Sequence, residues 1–186
     1  MTYPARGGLA ATQGWLAEAI ATLTAAGLPP EVISTGGTPD MARAGAVTAA
    51  TEHRPGTYIY NDRMQVAWRA ATLDQCALTV LATVVSRPTP TRAVLDAGSK
   101  ALAADPAPVP GHGHLVDYPE AVVTGLSEEH AVVDLTACPR RPQVGDRVQV
   151  IPNHACVVSN LFDDIHLMRG DRVEEIAHVT SRGRLT

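Results

Sequence analysis

The chain has 186 residues, 45% of them hydrophobic, and a formal net charge of −4 at pH 7. This length suffices for one sizeable core or for a domain and a half, and the negative charge argues against nucleic acid or an anionic membrane as a partner. Residues 1–8 lack the apolar core of a signal peptide, and no later apolar run is long enough to span a membrane. We therefore expect a cytoplasmic protein.

The first third of the chain predicts a helix, a strand and a second helix. Leu16, Ile20 and Leu23 recur at helical spacing and predict a helix over 11–26, which the turn at 27–30 ends. A strand over 31–34 follows. Gly36 and Gly37 then lead to Thr38, which with the next proline is typical of a helix N-terminus, here predicted to continue to 43. This order is typical of an α/β barrel, but one or two such units cannot close one.

From about residue 73 the pattern changes to short apolar, β-branched stretches separated by turns. Such spacing predicts a mainly-β domain of barrel or sandwich-like form. A proline-rich segment, 104–111, interrupts the series and predicts an irregular loop. We expect a barrel remnant over 1–68 and a β domain over 69–186, with these strands: 77–85, 93–96, 121–126, 131–135, 147–158 and 165–168.

The candidate metal ligands are His154 and Cys156. If 148–158 is a strand, two side chains two residues apart lie on one face, where an imidazole nitrogen and a thiolate can reach one ion. This pair suits zinc, and two protein ligands leave positions open for water or substrate, which indicates Lewis-acid chemistry. The alternative is a chance pattern in which Cys156 is a small hydrophobic residue. Cys76 and Cys138 are predicted to be inert, and three cysteines without framework spacing predict no structural disulfide.

The candidate phosphate site is the loop formed by Gly36, Gly37 and Thr38. Backbone amides of a glycine-rich turn that enters a helix can surround a phosphate. The alternative is a plain turn between a strand and a helix, which glycine favours for steric reasons.

Several motifs together resemble the D-serine dehydratase and D-threonine aldolase family, over nearly the whole chain. They lie at 34–39, 52–58, 61–62, 76–80, 95–100, 152–156 and 182–184. Members of that family are pyridoxal-phosphate enzymes with an alanine-racemase-like TIM barrel followed by a zinc-binding β domain. The resemblance implies that this chain corresponds to the second half of such an enzyme, and that zinc or another divalent metal binds at His154 and Cys156.

The resemblance also implies the cofactor contacts. The phosphate of pyridoxal phosphate would be held by Thr38, Gly56 and Thr57. Threonine at 57 stands where the dehydratase branch tends to have asparagine, which leans slightly toward an aldolase. The lysine that binds the cofactor lies near the start of the family's barrel. The only lysine here, Lys100, sits in the β domain, so we do not assign it that role and leave the catalytic residues unassigned.

The activity implied is a lyase reaction on a β-hydroxy D-amino acid. An aldolase would cleave the substrate to glycine and an aldehyde, whereas a dehydratase would convert D-serine to pyruvate and ammonia. In either case the metal acts on the β-hydroxyl and the cofactor serves as electron sink. We expect a homodimer in the complete enzyme. The alternative is a non-catalytic remnant, or a zinc-binding β module that needs a partner chain.

Other polar residues stay open at the sequence level. His112 and His114 flank a glycine and favour a plain loop over a metal site. His130 orients a ligand or contacts substrate near the metal, or it serves a structural role at the start of a strand. His53 lines the cofactor pocket or precedes a turn, and one of Tyr58 and Tyr60 faces the pocket.

Overall fold

A computed structural model describes residues 8–184, which form two compact units. The first contains residues 8–59 with Trp68–Ala70, and the second contains Tyr60–Ala67 with 71–184. The segment interpreted above for its lack of a signal peptide lies largely outside the described residues. Among residues 8–184, no helix is long and apolar enough to cross a membrane.

The first unit combines one long helix with a pair of short parallel strands. Helix α1 spans Gly8–Ala25, close to the predicted 11–26, and Gly27 at φ 77° follows it. Strands β1 (Ser34–Gly36) and β2 (Glu52–Arg54) pair in parallel. Two 3₁₀ helices, Thr38–Ala46 and Thr57–Ile59, follow them. The helix predicted from Thr38 therefore exists as a 3₁₀ helix.

The strand predicted at 31–34 is wrong in position. The pairing begins only at Ser34, and the N–H of the preceding residue, Ile33, is donated to the Thr51 hydroxyl at 2.9 Å. Local apolar content identified the strand but could not give its register, which depends on a partner almost twenty residues away.

The second unit is built on a six-stranded antiparallel sheet in the order β5-β8-β3-β4-β7-β6. A separate antiparallel hairpin, β9–β10, follows it. The strands are β3 (Val80–Thr89), β4 (Arg92–Leu95), β5 (Gly113–Leu115), β6 (Val122–Leu126), β7 (Ala131–Asp134), β8 (Arg147–Pro152), β9 (Asp164–Arg169) and β10 (Arg172–His178). Short helices α2 (Arg63–Ala67), α3 (Ser99–Leu102) and α4 (Ala155–Ser159) and a 3₁₀ turn, Leu73–Gln75, connect them.

The six-stranded sheet nearly closes into a barrel. Its two edge strands, β5 and β6, approach each other, and His112 just before β5 donates its N–H to the carbonyl of Val123 in β6 at 3.0 Å. Alternate residues of the strands face inward, as period-two patterning predicts. The core contains Val80, Ala82, Val84, Ala93, Leu95, Leu115, Val123, Ala131, Val133, Val148 and Val150. The predicted mainly-β C-terminal domain is confirmed.

The predicted strand over 147–158 is wrong beyond residue 152. Strand β8 ends at Pro152, opposite Gly113 of β5, and residues 155–159 form helix α4 instead. Pro152 has no N–H to continue a ladder, and the next residue, Asn153, is almost fully buried with its side chain hydrogen-bonded outside the sheet. Val158 then packs into the core from α4, so tertiary packing overrides its β propensity.

A buried aspartate fixes the segment that follows β8. Asp62 is fully inaccessible, and its Oδ2 accepts the N–H of Ala155 at 2.9 Å. Its Oδ1 accepts the N–H of Gln65 at 2.9 Å, so the same side chain caps α2. Nearby, Met64 donates its N–H to the carbonyl of Asn153 at 3.2 Å. Asp62 thus ties the start of α2 to the start of α4.

Gly98 permits a close approach between α3 and the loop 127–130. The N–H groups of Ser99 and Lys100 donate to the carbonyls of Ser127 and Glu128 at 2.8 and 3.1 Å. A Cβ at Gly98 would overlap both of these carbonyl oxygens and the amide of His130. Only glycine therefore fits here, which accounts physically for the motif at 95–100.

We predict that Asp62→Ala lowers the free energy of unfolding of the β domain by about 2–4 kcal/mol, because two buried N–H groups lose their carboxylate acceptor. Urea denaturation followed by circular dichroism measures this. Asp117→Ala, at an exposed aspartate, is the matched control and should change stability little. Equal stability of the two variants would contradict the anchoring role of Asp62.

We predict that Gly98→Ala destabilises the same domain by about 2–3 kcal/mol, because the added methyl group meets backbone atoms that cannot move independently. Gly125→Ala is the control, since a Cβ there meets nothing within 4 Å. The measurement is the urea midpoint of both variants. A midpoint for Gly98→Ala as high as that of Gly125→Ala would show that the loop yields freely.

Candidate metal site and phosphate-binding loop

His154 and Cys156 lie at the start of α4 rather than on a strand. His154 is the N-cap residue, with extended backbone angles, and Cys156 belongs to the first helical turn. The structure nevertheless brings the two side chains together. A hydrogen bond with Cys156 is the main cause that raises the pKa of His154 to about 9, against the lowering effect of partial burial. The two side chains thus meet at the start of a helix, not on one face of a strand as predicted.

The carboxylate of Asp105 approaches the other side of this pair. Its Oδ1 lies 3.2 Å from Nδ1 of His154, and this contact also raises the pKa of His154. Asp105 belongs to the proline-rich loop between α3 and β5 and lies 49 positions before His154 in the chain. Local spacing gives no indication of this contact, which only the fold creates.

Asn153 and Arg63 hold the loop around the pair. The side-chain amide of Asn153 donates to the carbonyls of Asp105 and Gly111 at 3.1 and 3.0 Å. Its Oδ1 accepts from the Arg63 guanidinium at 2.6 Å, and the same guanidinium donates to the carbonyls of Pro110 and Gly111 at 2.8 and 3.3 Å. Burial lowers the pKa of Arg63. This polar network, together with Asp62, leaves the loop before α4 little freedom.

Sequence reasoning missed most of this network. Asp62 and Gln65 have the spacing of a helix cap, Asp-x-x-Gln, so a signal for the cap was present. The link from Asp62 to Ala155, by contrast, spans 93 positions and has no local signature. The same holds for Arg63 and Asn153, which are 90 positions apart.

The donors at this site fit a metal ion of the zinc type only as a partial set. An imidazole and a thiol side by side are ligands that zinc prefers. Within the described residues 8–184, no group of three or more His, Cys, Asp or Glu side chains is placed to hold one ion. Cys156 also lines an open cavity of about 460 Å³, together with Val157, Ser159, Asn160, Val179 and Ser181.

The glycine loop and the segment 56–58 meet in the first unit. Thr38 and Thr57 are both buried, and the Thr38 hydroxyl accepts the N–H of Tyr58 at 3.0 Å. That bond uses a lone pair of the hydroxyl, so its proton can still be donated to an anion. A Cβ at Gly56 would meet nothing within 4 Å, so the backbone there is open. The Thr38 hydroxyl and the backbone of residues 56–58 thus lie near one another in the first unit.

Both ring nitrogens of His53 contact the glycine loop or the strand before it. Its Nε2 lies 3.1 Å from the carbonyl of Gly37, and its Nδ1 lies 3.0 Å from the hydroxyl of Thr35. Both ring nitrogens are thus engaged within the loop and its strands. Gly37 itself has φ 117°, a conformation that favours glycine. This contact favours a structural role of His53 in holding the loop.

Lys100 is placed as a surface residue of the β domain. Its ammonium group lies 2.8 Å from carboxylate oxygens of both Glu128 and Glu129. These hydrogen bonds raise the pKa of Lys100 and thus favour its protonated form. Lys100 is the only lysine in the sequence, and its ammonium group is engaged by these two carboxylates.

The three other histidines considered in the sequence analysis and Cys76 lie outside the two candidate sites. His114 lies in β5, not in a plain loop as predicted, and burial followed by the nearby Arg63 charge lowers its pKa. His112 Nδ1 is buried without a hydrogen-bond partner. His130 closes a turn, in which its N–H and carbonyl bond with Ser127. Burial raises the pKa of Cys76 to about 11, with smaller contributions from Asp62 and Asp74.

The chain is similar in sequence and in fold to several known proteins. The family described as "putative serine dehydratase domain" matches residues 77–168. An uncharacterised protein of Mycobacterium tuberculosis is 44% identical over 113 residues, which are 58% of this chain and 85% of that protein.

Two solved structures match most of the chain. D-threonine aldolase from Filomicrobium marinum is 28% identical with a TM-score of 0.81, and the match covers 96% of this chain and 48% of that one. D-threo-3-hydroxyaspartate dehydratase from Delftia is 27% identical with a TM-score of 0.76, over 90% and 49%. The chain thus spans about half the length of these enzymes.

An alanine-racemase-like protein from Idiomarina loihiensis, 24% identical with a TM-score of 0.67 over 80% of this chain, is similar in fold alone. The chain therefore belongs to the putative serine dehydratase family, together with the D-threonine aldolases and D-threo-3-hydroxyaspartate dehydratases.

Proposed function

We propose that this chain is the C-terminal portion of a zinc- and pyridoxal-phosphate-dependent lyase that acts on β-hydroxy D-amino acids. The observation that carries the proposal is the hydrogen-bonded pair of His154 and Cys156 in a loop fixed by buried Asp62. Support comes from relatives whose names specify D-threonine and D-threo-3-hydroxyaspartate, both β-hydroxy D-amino acids.

Variants of one relative support the metal ligands in particular. The Delftia dehydratase has been solved with a histidine replaced by alanine and, in a metal-free form, with a cysteine replaced by alanine two positions further on. His154 and Cys156 have the same spacing. We propose that they hold the metal here.

Each part of this chain would then have a defined task. His154 and Cys156 bind the metal, which supplies Lewis acidity toward the β-hydroxyl when bound. Thr38, Gly56 and Thr57 hold the cofactor phosphate by a hydroxyl proton and backbone amides. The two parallel strands before these loops correspond, in this proposal, to the last units of a TIM-like barrel. The lysine that binds the cofactor comes from the other half of the enzyme.

A second candidate has support of its own. The 113 residues matched in the Mycobacterium tuberculosis protein make up 85% of it, so a relative consisting mainly of this region exists. The second candidate is thus a metal-binding β module that works with a partner chain. It shares the metal site with the first proposal and differs in having no lyase activity of its own.

We predict that zinc protects Cys156 from alkylation in the purified chain. Cys156 is exposed, whereas Cys138 is buried and Cys76 has its pKa raised to about 11, so both internal controls react slowly at pH 8 with or without metal. Mass spectrometry after iodoacetamide treatment identifies the modified cysteine. Alkylation of Cys156 at the same rate with and without saturating zinc would argue against the site.

The same preparation should bind about one zinc per chain, because the pair forms a single site. Metal content by plasma mass spectrometry after dialysis should fall in Cys156→Ala and stay unchanged in the control Cys138→Ala. Undiminished zinc in Cys156→Ala would remove the assignment.

We predict that the chain alone neither cleaves D-threonine nor deaminates D-serine when pyridoxal phosphate and zinc are added, because Lys100 is paired with two carboxylates. Product analysis by mass spectrometry tests this, with intact D-threonine aldolase as the positive control. If the chain turned substrate over, Lys100→Ala would decide whether this lysine is responsible, and the assignment of the lysine to another half would be wrong.

A further inference from the structure

We propose that Asp105 is a positioning residue for the metal site: its carboxylate holds Nδ1 of His154, so that Nε2 is the nitrogen presented to the metal. This inference rests on the metal site of the proposed function, and it concerns a residue outside the pair. It assigns a purpose to an aspartate in a proline-rich loop that the sequence alone marks only as irregular.

The contact between Asp105 and His154 is partly shielded from water. Asp105 Oδ1 lies 3.2 Å from His154 Nδ1, and the two side chains are 34% and 22% exposed. The chain contains a second His–Asp contact for comparison, between His178 and Asp164 in the hairpin β9–β10. That contact is 2.9 Å long, but its side chains are 69% and 50% exposed. Water competes strongly at the hairpin and much less at Asp105, where the orientation of the ring can be held.

The loop that contains Asp105 is fixed at more than one point. The backbone carbonyl of Asp105 accepts a hydrogen bond from Asn153, the residue just before His154, at 3.1 Å. Asn153 is itself held by Arg63 at 2.6 Å. Carboxylate and backbone of Asp105 therefore bond to two consecutive residues, which fixes the distance between the loop and the imidazole.

The chemistry of a histidine ligand also favours this role of Asp105. A histidine ligand must offer an unprotonated nitrogen, and a hydrogen bond from the opposite N–H to a carboxylate selects the tautomer and increases the basicity of the ligating nitrogen. Removal of such a partner commonly weakens metal binding by about 10–100-fold. With Nδ1–H donated to Asp105, the nitrogen left for the ion is Nε2.

The experiment measures zinc affinity of the full chain by competition with a chromophoric chelator. Asp105→Ala should bind zinc about 10–100-fold more weakly than the parent chain. Asp105→Asn should recover part of the affinity, because the amide oxygen can still accept the Nδ1 proton. Asp164→Ala is the matched control at the exposed His–Asp contact and should bind zinc like the parent.

Cobalt(II) in place of zinc reports the ligands directly. The thiolate-to-cobalt charge-transfer band and the ligand-field bands of Asp105→Asn should keep the positions they have in the parent chain, because Asp105 itself does not ligate the ion. A shift of the ligand-field bands would show that Asp105 is a ligand and would overturn the proposal. Circular dichroism of each variant reports folding, and if Asp105→Ala does not fold, Asp105→Asn carries the test alone through its affinity.

The outcomes distinguish a failure of the metal site from a failure of the positioning role of Asp105. If the parent chain binds no zinc, the metal site of the proposed function fails and the role of Asp105 fails with it. If the parent binds zinc and both Asp105 variants bind it equally tightly, the metal site stands and only the positioning role is overturned.

Discussion

The segment that carries both candidate metal ligands depends on one buried carboxylate. Asp62 is inaccessible to water and has its two oxygens occupied by backbone N–H groups, one from α2 and one from Ala155 in α4. A buried carboxylate is costly unless it is hydrogen-bonded, so the backbone around it must keep the geometry that satisfies it. His154 and Cys156 flank Ala155 directly. The backbone between the two candidate ligands is therefore held by a carboxylate more than ninety positions earlier in the chain.

Near Asp62, the side chain of Asn153 also connects distant parts of the chain by hydrogen bonds. Asn153 uses its amide to bond the loop before β5 and its oxygen to bond Arg63, so three separate stretches of chain meet at one side chain. Buried polar networks of this kind specify a single arrangement when every member is satisfied. A binding constellation gains from such order, because supporting residues hold its side chains close to the productive geometry. A pair of ligands alone would otherwise be free to separate.

The sequence was informative where structure is local and where motifs are specific. Short apolar, β-branched stretches separated by turns predicted the β domain, and the turn that begins at Gly27 predicted the end of α1. It failed at 153–158, where β-branched valines indicated a strand but a buried asparagine and a carboxylate 93 positions away turned the chain into a helix. It also missed β5, whose Gly113 lies where a Cβ would meet Val150, because a glycine between two histidines is typical of a loop. Partners distant in sequence decide such cases.

The two candidate sites differ in how much the chain itself provides. The metal site has its two ligands, their anchor and a carboxylate against the imidazole, all within the second unit. The phosphate loop has its hydroxyl and open backbone in the first unit, but the covalent function of the cofactor requires an amine, and the only lysine is held by two carboxylates. Both proposed metal ligands therefore belong to this chain, whereas the proposed lyase chemistry would need a lysine from outside it. That asymmetry is what makes a metal-binding measurement on the isolated chain informative, because it tests one site while the other stays incomplete.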